Sequence, residues 1–234
     1  MPLVTLGPLR LSSYGICLVI AVGVWWWWSA RRFPAGSTVD HDSLLLVMVV
    51  GAWLGGRVGA MLGSVAIWTQ LVNLRALEFS WPGALVGASS ALALYHWRRP
   101  LPWALLLDAM ALPTLCAQII GAFGLWLAGT AVGVPWQGAW AVASAGAWRH
   151  PVQLYAAGIA MVAAVWCMLA ARYWPLIPAR WWLLAGIAVN LLISAGFQAD
   201  ALTLAGGIRV SQCVGLGLLI VVIERVMMTV HPRT

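Results

Sequence analysis

Blocks of about twenty apolar residues recur along the chain, parted by short stretches that hold most of its arginine, proline and aspartate. In order, the apolar runs cover about 12–30, 43–63, 81–97, 101–129, 151–172, 180–198 and 207–228. A helix rises about 1.5 Å per residue, so a run of this length matches the ~30 Å hydrocarbon core of a bilayer. Only helices and closed barrels satisfy their backbone there, and the pattern predicts an all-α bundle of seven transmembrane helices. The fourth run is long and contains Pro113, which predicts a kink or a tilt. The longest polar connections fall at about 31–42, 64–80 and 130–150. No internal repeat, low-complexity linker or second domain stands out, so residues 1–234 are expected to form one transmembrane domain.

Composition sharpens this. With 63% hydrophobic and 8% charged residues, the chain lacks the polar surface that a soluble domain of 234 residues must present to water. No cleavable signal peptide is expected, because Arg31 and Arg32 follow the first apolar run instead of preceding it. Every basic residue is arginine. Arg31, Arg32, Arg98, Arg99, Arg172, Arg180, Arg225 and Arg233 fall on one side of a seven-span arrangement, with Arg10, Arg75, Arg149 and Arg209 on the other. That bias places the N-terminus outside and the C-terminus in the cytoplasm of a multi-pass membrane protein. The formal charge of +7 points to anionic lipid rather than nucleic acid, since no polar domain concentrates it. Tryptophan, with 17 copies, clusters near span ends as an interfacial belt does; successive members of the run Trp25–Trp28 point about 100° apart and cannot form one flat face. The four cysteines lie in four different apolar runs without metal-like spacing and read as buried small hydrophobes. No metal and no cofactor is expected.

Few groups can do polar work at membrane depth. Arg57, in "WLGGRVG", lies about 14 residues into its span, roughly 21 Å from the cytoplasmic end. Two readings stay open: an arginine snorkelling to the outer interface, or one holding a phosphate or carboxylate inside the bundle, with Gly55, Gly56 and Gly59 clearing space. In "WRHPVQLYAAG", Pro151 starts a helix, Arg149 and His150 sit at its outer end, and Gln153 and Tyr155 occupy its first turns. This is either a capped, interface-anchored helix start or a polar rim at a lipid entry. Tyr14 lies near the outer start of the first span, Gln212 inside the last, where its amide needs a partner. Asp108 is expected to pair with an arginine near the cytoplasmic face, and Asp200 falls in the loop after span six.

Taken in order, "LGPLRLSSYG", "LGGRVG" (Leu54–Gly59), "RHPVQLY" (Arg149–Tyr155) and "SQCVGLGLLI" resemble the prolipoprotein diacylglyceryl transferase family, whose corresponding stretches read "IGP…WYG", "LGGRIG", "RHPSQLYE" and "GQILSI". The resemblance implies a seven-helix enzyme that moves the diacylglyceryl group of phosphatidylglycerol onto the lipobox cysteine of a lipoprotein precursor. Such chemistry needs a group to deprotonate the thiol and cations to hold the departing phosphate. On that implication Tyr14 and His150 are catalytic candidates, Arg57 and Arg149 hold lipid phosphate, and Gln153, Tyr155 and Gln212 are supporting polar groups.

The sequence also departs from the family. "SWPGA" puts Pro82 where the family's "SFHGG" carries its histidine, and "GAFGLW" puts Ala122 and Leu125 where "GRLGNF" carries arginine and asparagine. In span six, Asn190 and Ser194 stand in the places of an arginine and a glutamate. The main expectation is therefore a family member that binds anionic phospholipid with weakened or lost transferase chemistry. The alternatives are an active transferase using His150 as base, and a structural subunit of a larger membrane complex.

Overall fold

All seven apolar runs are helices in the computed structural model, which describes residues 3–6, 9–33, 40–61, 81–100, 102–129, 133–144, 146–199, 203 and 207–230. They are α1 (Ser13–Arg32), α2 (His41–Met61), α3 (Trp81–Arg98), α4 (Trp103–Ala128), α5 (Val152–Tyr173), α6 (Ala179–Phe197) and α7 (Val210–Val230). Five of them are long and apolar enough to cross a membrane; α3 and α6 are shorter, with 18 and 19 residues. Large apolar side chains point outward along the helices, among them Val19 (73% exposed), Val86 (66%) and Val162 (66%). Water would not tolerate so much outward apolar surface, whereas lipid solvates it. The chain is a multi-pass membrane protein. Arg75, Asp200, Arg233 and the whole 64–80 connection lie outside the described residues.

The helices divide into two compact units, Phe33–Trp103 and the remainder, Met1–Arg32 with Ala104–Thr234. In the first, α2 and α3 pack backbone to backbone through glycine. Gly51, Gly55 and Gly59 recur every fourth residue on α2, and Gly83, Gly87 and Ala91 do so on α3. A Cβ on Gly87 would stand 2.1 Å from the Gly51 carbonyl oxygen, and one on Gly55 2.3 Å from that of Gly83, so no side chain fits between the helices. Lipid supplies no hydrophobic drive between spans, and close van der Waals approach supplies the attraction instead. Asp40 caps α2: its carbonyl accepts from Leu44 N (3.0 Å), and its carboxylate accepts from Ser43 Oγ and from Asp42 N (3.2 Å). The Ser43 hydroxyl, the Ser43 and Asp42 backbone amides and the Arg99 charge hold the Asp40 carboxyl below its ordinary range.

The second unit holds the other five helices and two small antiparallel hairpins. One pairs β1 (Leu3–Leu6) with β2 (Leu9–Ser12); the other pairs β3 (Val142–Ser144) with β4 (Ala147–Arg149). The core forms where Ala111, Leu112 and Leu115 of α4 meet Ala164 and Cys167 of α5 and Leu183 of α6. α4 runs as one helix through its buried Pro113. The Asp108 carboxylate accepts from Arg180 N (2.7 Å) and Arg180 Nη1 (2.6 Å), which joins α4 to the start of α6 as expected. Trp25 Nε1 donates to Thr114 Oγ1 (3.0 Å), tying α1 to α4. The tryptophan run does spread around its helix: Trp25 bonds inward, Trp28 packs on the core, and Trp27 is exposed under the Arg31 guanidinium at 3.8 Å. One expectation is corrected. Cys213 is exposed, because it shares the outward face of α7 with Val214, whereas Cys167 is buried in the core.

Candidate functional site

The segment from Gly133 to Tyr155 builds the site. Pro151 ends the extended backbone of β4, and α5 starts at Val152, with Leu154 N and Tyr155 N both donating to the Pro151 carbonyl (2.9 and 3.2 Å). His150 is thus fixed between a strand and a helix. Its backbone N–H donates to Val134 O (3.2 Å), Val134 N donates to Phe197 O (2.8 Å), and Trp136 N donates to Trp148 O (2.9 Å). Gly133 makes this weave possible: a Cβ there would lie 2.1 Å from the His150 carbonyl oxygen.

Three aromatic rings surround the imidazole. It stacks on Trp136 with centroids 4.3 Å apart and planes within 10°, and it lies 4.6 Å from the Phe197 ring. Its Nδ1 is 2.9 Å from Tyr155 Oη, which in turn accepts from Trp140 Nε1 at 2.8 Å. An indole N–H can only donate, so the Tyr155 hydroxyl keeps its own hydrogen and a lone pair for the imidazole. Tyr155 can donate to a ring bare at Nδ1 or accept from a ring that carries its hydrogen there.

His150 borders two unlike spaces. On one side a groove of about 800 Å³ runs between α5 and α6, almost wholly apolar, from Tyr155 and Phe197 at one end to Trp166 and Trp182 at the other. On the other side is a small polar cavity of about 80 Å³, bordered by Arg149, Gln153 and Ser144. The eleven residues from Tyr155 to Trp166 span about 16 Å along α5, close to the ~15 Å of one bilayer leaflet's hydrocarbon. An amphiphile fits this layout: a tail in the groove, a polar head in the cavity, and a titratable ring at the junction.

Four of the seven candidates come together here: Arg149, His150, Gln153 and Tyr155. Arg149 gives part of its guanidinium to the protein, with Nε donating to Ser144 O (3.2 Å) and Nη1 to Gly133 O (3.1 Å), and so braces the hairpin while facing the cavity. Gln153 is buried at the cavity wall. The other three lie elsewhere. Tyr14 sits in the first turn of α1 against α4, where Gly124 leaves room for it and for Cys17. Gln212 joins α7 to α6 through Leu192 O (3.4 Å), and its Oε1 accepts from Arg209 N (3.4 Å) at the helix start. Arg57, in the α2–α3 unit, is buried with 6% exposure. Trp136, Trp140, Phe197 and Gly133 were not singled out by the sequence.

The positions at which the chain departs from its resemblance are apolar or neutral in space too. Ala122 is buried in α4. Asn190 is buried in α6 with no hydrogen-bond partner for its Oδ1 among the described residues, and Ser194 Oγ donates to the Asn190 backbone carbonyl (2.5 Å). The side chain of Pro82 lies outside the described residues.

A family model described as prolipoprotein diacylglyceryl transferase matches residues 2–229. Curated relatives named phosphatidylglycerol–prolipoprotein diacylglyceryl transferase include one from Bordetella parapertussis, 29% identical over 171 residues, which are 66% of this chain and 64% of the relative. The protein of that name from Leptothrix cholodnii is 30% identical over 186 residues, 69% of this chain and 67% of the relative. A third, from Ectopseudomonas mendocina, is 30% identical over 181 residues, 70% and 67% of the two chains. The chain spans about two thirds of the length of these relatives.

Proposed function

We propose, from the premise that this chain belongs to the prolipoprotein diacylglyceryl transferase family, that it transfers a diacylglyceryl group from phosphatidylglycerol to the cysteine thiol of a lipoprotein precursor. The names of its relatives supply the two substrates. One observation of the chain itself carries the reading: His150 stands where an apolar groove one leaflet long meets a polar cavity bordered by an arginine. The protein acts at the outer face of a bacterial inner membrane, with its N-terminus outside.

In this proposal the acyl chains lie along α5 and α6, and the phosphate enters the cavity, where the remaining N–H groups of Arg149 hold it. His150 accepts the thiol proton. The thiolate sulfur attacks the glycerol carbon that carries the phosphate ester, a C–S bond forms, and the C–O bond to phosphate breaks. Glycerol phosphate leaves with the electron pair of that bond, and the proton on His150 passes to it or to solvent. Tyr155 and Trp140 keep the imidazole oriented through both protonation states. Arg57 retains its proposed role as a lipid-phosphate cation, and Tyr14, which lines neither space, is given no step.

The test is a single-turnover assay of purified protein with phosphatidylglycerol and a lipobox peptide, following the mass of the thioether product. Loss of a general base costs about 10²–10⁴-fold, so His150→Ala should fall by that factor while bound lipid is retained. Undiminished transfer by His150→Ala would remove His150 from the mechanism.

A second reading, lipid binding with weakened or lost chemistry, draws on Asn190 and Ser194. They bring no charge to α6, and the Ser194 hydroxyl is spent on its own helix. Retained phosphatidylglycerol with no product from the wild-type protein would favour it.

A further inference from the structure

We propose that Trp166 and Trp182 close the groove and measure the acyl chain, so that the protein selects phospholipids by tail length. This rests on the preceding reading that the groove holds lipid tails, and it adds a specificity that the shared chemistry of the head does not provide.

The two ends of the groove differ. At the His150 end the lining carries a hydroxyl, an imidazole and an indole N–H joined by hydrogen bonds. At the other end the lining is apolar, and its aromatic rings pack on one another. Trp182 packs against the buried α4–α5–α6 core, Trp166 meets it edge-on with centroids 6.1 Å apart, and Trp174 backs Trp166 at 5.6 Å. Each ring is held by another, and the last by the core, so a tail cannot push the end wall aside as it could a flexible methionine or leucine. A chain that fills the groove gains contact with each added methylene until it meets the wall, and longer chains must bend out into lipid.

The middle of the groove offers an independent handle. Gly158 lines it, and a Cβ added there would meet nothing within 4 Å. Gly158→Leu should therefore fold as well as the native helix, since leucine favours helix over glycine, and it would place a branched side chain in the path of the tail. Trp166→Ala should do the reverse and open the end. Trp166→Phe keeps an aromatic wall and serves as the control.

The experiment equilibrates the four proteins in detergent with an equimolar mixture of dimyristoyl, dipalmitoyl and distearoyl phosphatidylglycerol, and reads the retained species by native mass spectrometry. The same mixture with lipobox peptide gives the product distribution. Trp166→Ala should shift retention several-fold toward the longest chain, Gly158→Leu toward the shortest, and Trp166→Phe should follow the wild type. Identical chain profiles in all four proteins would overturn the ruler, whether or not transfer occurs, and so would a wild type that retains no lipid. Shifted retention without any thioether product would uphold the ruler and overturn the transferase reading.

Discussion

A glycine that looks unimportant in the sequence governs the placement of the imidazole. Gly133 lies against the carbonyl of His150, and an added methyl must displace that backbone because the opposing atom belongs to the main chain and not to a flexible side chain. The effect on chemistry should exceed the effect on folding. Gly133→Ala is expected to lower transfer by about 10²-fold, the cost of misplacing a reacting group by an ångström or so, with helix content by circular dichroism unchanged. Normal transfer by that variant would mean that the position of His150 has slack. Arginine shows the same contrast between local signal and spatial role. Arg149 stood out in its motif as a candidate to hold phosphate, but nothing local revealed that two backbone carbonyls would claim part of its guanidinium.

At the level of helices, α2 and α3 depend on the absence of side chains. Gly87→Val would force its branched carbons against the Gly51 carbonyl and the Gly55 Cα, 2.1 and 2.7 Å from the ideal Cβ position. Overpacking of this kind should cost about 1–3 kcal/mol or more. The check is thermal unfolding in detergent beside Gly217→Ala, where a Cβ meets open space and little should change. These helices were legible because bilayer thickness dictates the length of an apolar run, and every observed span begins and ends within a few residues of its expected position. The hairpins were not. Strands of three or four residues show no readable alternation, and β3 with β4 fell inside a stretch that read as a polar connection. The candidate site divides along the same line: its contiguous part, Arg149 to Tyr155, stood in one motif, while the aromatic rings around it come from the preceding loop and from the far end of α6.

For the molecule as a whole, membership of a lipid-handling family and the arginine bias both direct attention to anionic phospholipid. A guanidinium buried in an apolar span is costly unless an anion or polar partner offsets it, and we expect part of that role at Arg57 to fall to lipid phosphate. Arg57→Leu should reduce phosphatidylglycerol co-purifying in mild detergent, and Arg57→Lys should restore part of it, since lysine keeps the charge but not the fork of donors. Equal retention by wild type and Arg57→Leu would assign Arg57 to helix packing alone.

The pairing of Asp108 with Arg180 joins residues 72 positions apart, and it therefore has a history. A ribosome adding roughly 5–20 residues per second makes α4 some ~4–14 s before it makes the start of α6. Throughout that interval the carboxyl of Asp108 waits at the membrane without the cation that completes it. Until Arg180 arrives, water and lipid headgroups at the membrane surface are the partners open to that carboxylate. The ion pair of the finished protein thus marks a moment in its biogenesis, when the start of the sixth helix reaches the fourth.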